Sequence, residues 1–532
     1  MGEDFPAGAC GKTCTATADG GTGCVGDSAC VALSTGSFCL RTCTAEADCW
    51  PGFVCEALGG STAKTCIAKS PGYGAGPGCA APTLRVGGTV SAPDPGMNPV
   101  CTHPVKLSDS PFAKLVGTNV PVGTELAFEI PAGTAAFTVV MQSTAGTLDG
   151  GLAYQGTPIG NDAVPTLIKD PTPRVVYDDL HIDGSKTSAE QEAFYGGGGE
   201  TTGTFTFPDT SAGLKANPSG LKAGTWHLTV NDYAYECLTA LSSVCTGGSS
   251  GGHYNVIVIT QPVSTVATRP LDLGIYLADA QLSPAAAAVK DAALVRTVNQ
   301  MAAFYAQAGI CLRNVDVFDL PTWAVDRYGT TIDPNEAGPC SDLNQLFTLS
   351  QPGNRLNLFF VQDFQNAGTT PGNAIVGLDG TIPGPSSVNG TVKSGAVVNA
   401  GSIHAGACGA AFSPSCGADE LAYIAAHEGG HWLGLYHTTE ATGDSFDTLD
   451  DTPSCKCELC TTSASDRANC YGSNPKVTAN TVKLMGAELC AQATTACGGS
   501  DDLMFWLFDP GFAKGKLSPE QAQTMKLNPA VQ

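Results

Sequence analysis

Charge and aromatic rings are both scarce in this chain: Asp, Glu, Lys and Arg make up 14% of its 532 residues, and Phe, Trp and Tyr 7%. A typical soluble domain carries about 25% charged residues. Basic residues are the scarcest, 26 Lys and Arg against 49 Asp and Glu, and a net charge of −23 excludes the electropositive footprint that nucleic-acid binding requires. Solubility alone accounts for such a balance. No apolar run approaches the ~20 residues needed to span a bilayer, which excludes a transmembrane segment. The opening MGEDFPAGACGK has no apolar signal core, so an export signal is expected to have been removed.

What the chain has in excess is turn formers and crosslinkers. Its 65 Gly and 34 Pro point to a loop-rich, largely β protein, and its length to two or three domains. The 23 cysteines are useful as crosslinks only in an oxidising compartment, so the protein is expected to be secreted, extracellular or held at the cell surface. Their odd number leaves at least one unpaired or paired outside the chain.

Three segments follow from changes of pattern. Residues 1–78 hold a weak cysteine repeat, with Cys10, Cys14, Cys24 and Cys30 followed by Cys39, Cys43, Cys49 and Cys55. So short a stretch buries little apolar surface, and a small disulfide-stapled module is expected, serving as an adhesion or docking unit or as a spacer. Residues 79–265 show the two-residue period of half-buried strands at 124–130, 136–142, 203–207, 225–231 and 254–261, which predicts a β-sandwich accessory domain. Cys237 and Cys245 are expected to close a loop in it. From 266 to 532 strand and helix patterns alternate: strands at 271–279, 311–320, 355–364 and 395–403, one helix entered at Ser283-Pro284 and stopped at Gly309, and another near 341–350. The expectation is a multidomain chain whose C-terminal domain is α/β.

Three of the eight histidines fall within HEGGHWLGLYH, residues 427–437. Helical spacing in ADELAYIAAHEGGHWLG puts His427 and His431 on one face, about 6 Å apart along the axis. Two imidazoles so placed can share a metal ion, and Glu428 then stands beside the metal as a base for water. Gly434 lets the chain leave the helix so that His437 can return as a third ligand. Three protein ligands leave an open position, as a catalytic zinc site requires. Gly429 and Gly430 should each weaken the helix by about 1 kcal/mol, which metal binding can offset.

This motif resembles the zinc signature of the metzincin metallopeptidases, and HWLGLYHT with the downstream DTLDDTPSC at 447–455 is similar to the pappalysin family. The resemblance covers roughly 266–532. It implies a metzincin-type catalytic domain with zinc ligands His427, His431 and His437, general base Glu428, and a methionine turn beneath the metal. For that turn Met504 is chosen over Met485, because LSPEQAQTMKLNPAVQ follows it like the family's last helix. Gly429 and Trp506 depart from the family pattern, and the missing tyrosine at 506 leaves the oxyanion stabiliser unassigned.

The acidic loop 443–452 offers Asp447, Asp450, Asp451 and Thr452 as oxygen ligands for calcium, which the pappalysins carry near this position; the alternative is a solvated loop. Cys455, Cys457, Cys460, Cys470, Cys490 and Cys497 crowd the next stretch, and disulfides are expected there rather than a second zinc site. The function expected is a secreted zinc endopeptidase acting on protein or peptide substrates, with the peptide laid along the strand at 395–403. Against it stand a surface-binding or adhesion protein whose accessory domains carry the function, and a zinc hydrolase with a non-peptide substrate.

Overall fold

Near-continuous runs of Val, Ile, Leu and Phe are buried on both faces when they lie inside a parallel sheet covered by helices, and the C-terminal half is built on such runs. In a computed structural model of the chain, residues 28–33, 36–45, 48, 53–57, 64–68, 79–94, 106–107, 110–144, 153–154, 157–158, 162–178, 191–195, 202–237, 245–248, 252–334, 341–365, 375–409, 411–492 and 494–532 are described. A six-stranded sheet runs in the order Gly377–Asp379, Ala396–Asn399, Leu356–Val361, Arg269–Leu277, Ile310–Asp319 and Thr83–Thr89. All neighbours are parallel except the first pair. Helices Ala292–Ala306 and Gly417–Trp432 cover one face, sharing a core with Leu273, Ile275, Leu358 and Val398. Thr322–Tyr328 and Asp342–Phe347 cover the other, over Tyr276, Phe318 and Phe359.

Three features differ from the sequence expectation. The long helix begun at Pro284 is broken into Ala285–Ala288 and Ala292–Ala306, because the Asp291 carboxylate accepts from the backbone N–H groups of Ala293 and Leu294 and so caps a new start. Thr83–Thr89, within the span read as sandwich, is instead an outer strand of the C-terminal sheet, tied to its neighbour by Cys79–Cys311 and by Arg85 with Asp316. The strand Ala396–Asn399 is not an edge, since Gly377–Asp379 pairs along its free side.

Two antiparallel sheets form the sandwich. One orders Val175–Asp178, Asp162–Lys169, Gly224–Cys237 and Cys245–Gly248, with Glu125–Ile130 also on the long strand. The other orders Thr202–Phe207, Thr134–Ser143, His253–Pro262 and Ala113–Pro121. Alternation sends Phe137, Val139 and Met141 inward onto Phe128, Phe207 and Trp226. Their neighbours Ala136 and Val140 face outward, yet they are buried too, against residues of the C-terminal half. Cys237 and Cys245 are register partners.

The sandwich therefore leans on the C-terminal half. Thr204 donates a hydrogen bond to the Pro383 carbonyl. The short helix Ser211–Ala216 meets the acidic loop through Ser211 N–H and the Thr448 carbonyl, 3.1 Å. Within 1–78 the described residues form two hairpins, Ser28–Leu33 with Gly36–Arg41 and Phe53–Ala57 with Lys64–Ala68, and Cys43 is bonded to Cys55. Cys10, Cys14, Cys24 and Cys49 of the repeat lie outside the described residues. Among the described residues no helix is long and apolar enough to cross a membrane.

Candidate metal centre

The helix Gly417–Trp432 carries Asp419 and Glu420 in its first turn, where acidic groups favour the helix dipole. Asp419 also receives two hydrogen bonds of 2.7 Å from Arg296, which fixes the helix against Ala292–Ala306. The helix ends at Leu433, and Gly434 follows at φ 107°, a conformation that side-chain-bearing residues rarely adopt. The reversed chain brings His437 back over the last turn.

The three imidazoles converge. His437 Nε2 lies 3.2 Å from His427 Nε2 and 3.1 Å from His431 Nε2. Each remaining ring nitrogen is engaged: His427 Nδ1 at 2.6 Å from the Leu503 carbonyl, His431 Nδ1 at 2.7 Å from the Leu435 carbonyl, and His437 Nδ1 at 3.0 Å from Glu440 Oε1. Carbonyls and carboxylates only accept, so each Nδ1 carries a proton, and in the neutral ring each Nε2 presents a lone pair. Three lone pairs facing one another repel unless a cation stands between them. Tetrahedral bonds of 2.0–2.1 Å would put ligand nitrogens about 3.3 Å apart, close to the spacing here, so the residues fit a metal ion. Burial holds His427 down to about 3 and His431 well below the usual range, which keeps both rings in the neutral, ligating form. Among the described residues this trio is the one set of three or more His, Cys, Asp or Glu groups whose ligand atoms lie near enough to share an ion, all within 4.8 Å.

The centre lies in a cleft of ≈ 720 Å³ walled by residues 375–379, the face of the histidine helix and residues 506–508. Glu428 is buried in it, and burial raises its carboxyl to about 8. The edge strand approaches Glu428 so closely that a Cβ at Gly377 would stand 2.5 Å from Glu428 Oε1. Asp379 lines the same wall with both oxygens shielded from solvent; burial first, then the Glu428 charge, pushes it well above the usual carboxylate range, against the pull of the Gly380 and Thr381 backbone N–H groups.

Met504 packs against the helix that carries His427 and His431. It is fully buried, its carbonyl accepts from Thr438 N–H at 3.0 Å, and a Cβ at Gly430 would meet its sulfur at 2.6 Å. Gly429 is constrained likewise by Tyr305 and by Leu356 Cδ2, 2.8 Å from a Cβ there. Close approach, rather than metal binding set against helix weakening, accounts for both glycines. Met485 lies elsewhere, in the core formed by Cys455–Cys490, Cys457–Cys470 and Cys460–Cys497, where its carbonyl accepts from Trp506 Nε1 at 2.8 Å.

The acidic loop is largely occupied by protein partners. Asp450 pairs with Lys215 of the sandwich. Asp451 accepts from Ser518 Oγ at 2.6 Å and Glu520 N–H at 2.8 Å at the start of the last helix, Pro519–Leu527. Asp447 takes the Thr452 hydroxyl at 2.6 Å and is raised to about 8 by burial. Its neighbour Asp502 is raised by burial to about 7. The sequence reading missed Glu440, Asp379 and Gly377. The first has a signal, a carboxylate three residues past the third histidine; the others lie in a strand of three residues, too short for a pattern.

Comparison with protein families and with curated proteins finds no match. Solved structures that the chain resembles include an active-site mutant of a family two carbohydrate esterase from Clostridium thermocellum, at 10% identity over 49% of this chain and 65% of that one, TM-score 0.10. A family two carbohydrate esterase from Cellvibrio japonicus matches at 10% identity over 48% of this chain and 66% of that one, TM-score 0.11. Each match spans less than two thirds of the esterase and is too weak to bear on fold or site.

Proposed function

We propose that the chain is a secreted zinc endopeptidase of the metzincin type, similar to the pappalysins, which hydrolyses peptides laid along the edge strand Gly377–Asp379. The observation that carries this reading is the trio of Nε2 atoms, each aimed inward by an engaged Nδ1, with the Glu428 carboxyl buried alongside. His427, His431 and His437 would hold the ion, which when bound supplies Lewis acidity toward water and a peptide carbonyl.

The chain's own groups do the rest. In its ionised form, which a cation held by the histidines would favour against burial, Glu428 takes a proton from the attacking water and returns it to the leaving amine, and its buried site between Gly377 and the helix keeps bulk water from competing for it. Glu440 orients His437, so that its Nε2 faces the other two. Among the described residues no strand pairs with the outer side of Gly377–Asp379, and an extended peptide can add there through main-chain hydrogen bonds. Glu420 and Glu440 line the cleft, with no Lys or Arg among its described lining residues, which favours substrates bearing positive charge.

The test is a cleavage profile of a denatured proteome with purified, zinc-loaded protein. Peptide products enriched in Lys or Arg near the cut, abolished by chelation and restored by zinc, are expected. Absence of any cleavage by zinc-loaded, folded protein would remove the peptidase reading and leave a binding protein or a hydrolase of other substrates.

A further inference from the structure

Outside the cleft, two cations lie side by side with no counter-charge among the described residues. Arg269 opens the strand that enters the C-terminal sheet, is only 7% exposed, and donates from Nη1 to the Lys526 carbonyl at 2.9 Å. The half-buried side chain of Lys526 belongs to the last turn of the final helix. Among the described residues no carboxylate pairs with either; burial lowers the pKa of both, and the neighbouring guanidinium lowers that of Lys526 further. In a chain with 49 acids to 26 bases, leaving two adjacent cations unpaired is unexpected.

Both residues line one cavity of ≈ 210 Å³, which the sandwich turn Asn217, Ser219 and Gly220 also lines. One guanidinium N–H is used on the helix carbonyl, and among the described residues no side chain takes the others or the Lys526 ammonium, which leaves them for a guest. The cavity has room for an ion of a few heavy atoms and its hydration, and the Ser219 hydroxyl adds a neutral donor. We propose that this cavity between sandwich and final helix is an anion site that takes a small dianionic oxyanion of the phosphate type, held by Arg269 and Lys526. A bound ion there neutralises two like charges and links the 217–220 turn to the catalytic half.

The test is calorimetric titration of zinc-loaded protein with inorganic phosphate at constant ionic strength in chloride. The wild type should bind one phosphate and melt higher with it. Lys526→Gln, which breaks no hydrogen bond of the fold, should weaken binding about tenfold or more. Arg269→Lys should do so too, by removing the fork while keeping the charge. Equal binding by Lys526→Gln and wild type would place the ion elsewhere, at the histidine centre for example, and overturn the proposal, as would a wild type indifferent to phosphate. Neither outcome bears on peptide cleavage, so failure here is distinguishable from failure of the peptidase reading.

Discussion

Gly430 rests on the sulfur of Met504, so close that a Cβ at 430 would lie 2.6 Å from Sδ. The helix that carries His427 and His431 thus reaches its depth through the absence of one carbon atom. Gly430→Ala should destabilise by about 1–3 kcal/mol through overpacking. Adding Met504→Ala should recover part of that loss, a coupling that a double-mutant cycle in denaturant would measure. Strict additivity would show that the contact is not the cause.

Glu428→Ala should leave metal content and melting near those of the wild type while lowering peptide hydrolysis by about 10²–10⁴-fold. Undiminished cleavage by this variant would refute the role given to Glu428.

Asp451 closes the first turn of the last helix, accepting from Ser518 Oγ and Glu520 N–H. Asp451→Ala should therefore cost about 1 kcal/mol, the usual worth of a helix cap, in calcium and in chelator alike. A loss seen only in calcium would instead assign this loop to a calcium ion, and a wild-type melt that ignores calcium at every concentration would remove that ion from consideration.

Stability should fall as pH rises. In the folded chain Asp502 and Asp447 hold their protons to about pH 7 and 8, against an ordinary value of 3.8. Between those limits the folded state binds more protons than the unfolded one, and the stabilisation present at low pH is lost through this window. In chelator, Asp447→Asn should flatten the decline in Tm between pH 5 and 8. An unchanged slope would mean that Asp447 is ionised in the fold.

Much of this molecule was legible because its chemistry is local. His427, Glu428, His431, Gly434 and His437 sit within eleven positions, and helix geometry relates them without knowledge of the rest. The alternating strands of the sandwich were legible for the same reason. What the sequence hid depends on distant partners: Asp379 acquires meaning only when its strand of three residues is laid beside Ala396–Asn399, and the Gly429 and Gly430 approaches involve Tyr305, Leu356 and Met504. The acidic loop looks free in sequence, yet Lys215, Ser518 and the N–H of Glu520 satisfy two of its aspartates.

The bond between Cys79 and Cys311 spans 232 residues, and this sets a schedule for folding. At synthesis rates of about 5–20 residues per second, roughly 12–46 s separate the appearance of the two thiols. During that interval Thr83–Thr89 has no neighbour, and Cys79 is open to every other cysteine that emerges. A nascent chain in an oxidising compartment thus risks wrong pairing, while the sandwich that follows can already collapse. A domain expressed from residue 266 onward would avoid the wait but lose the outer strand, leaving Ile310–Asp319 as a bare edge inclined to aggregate.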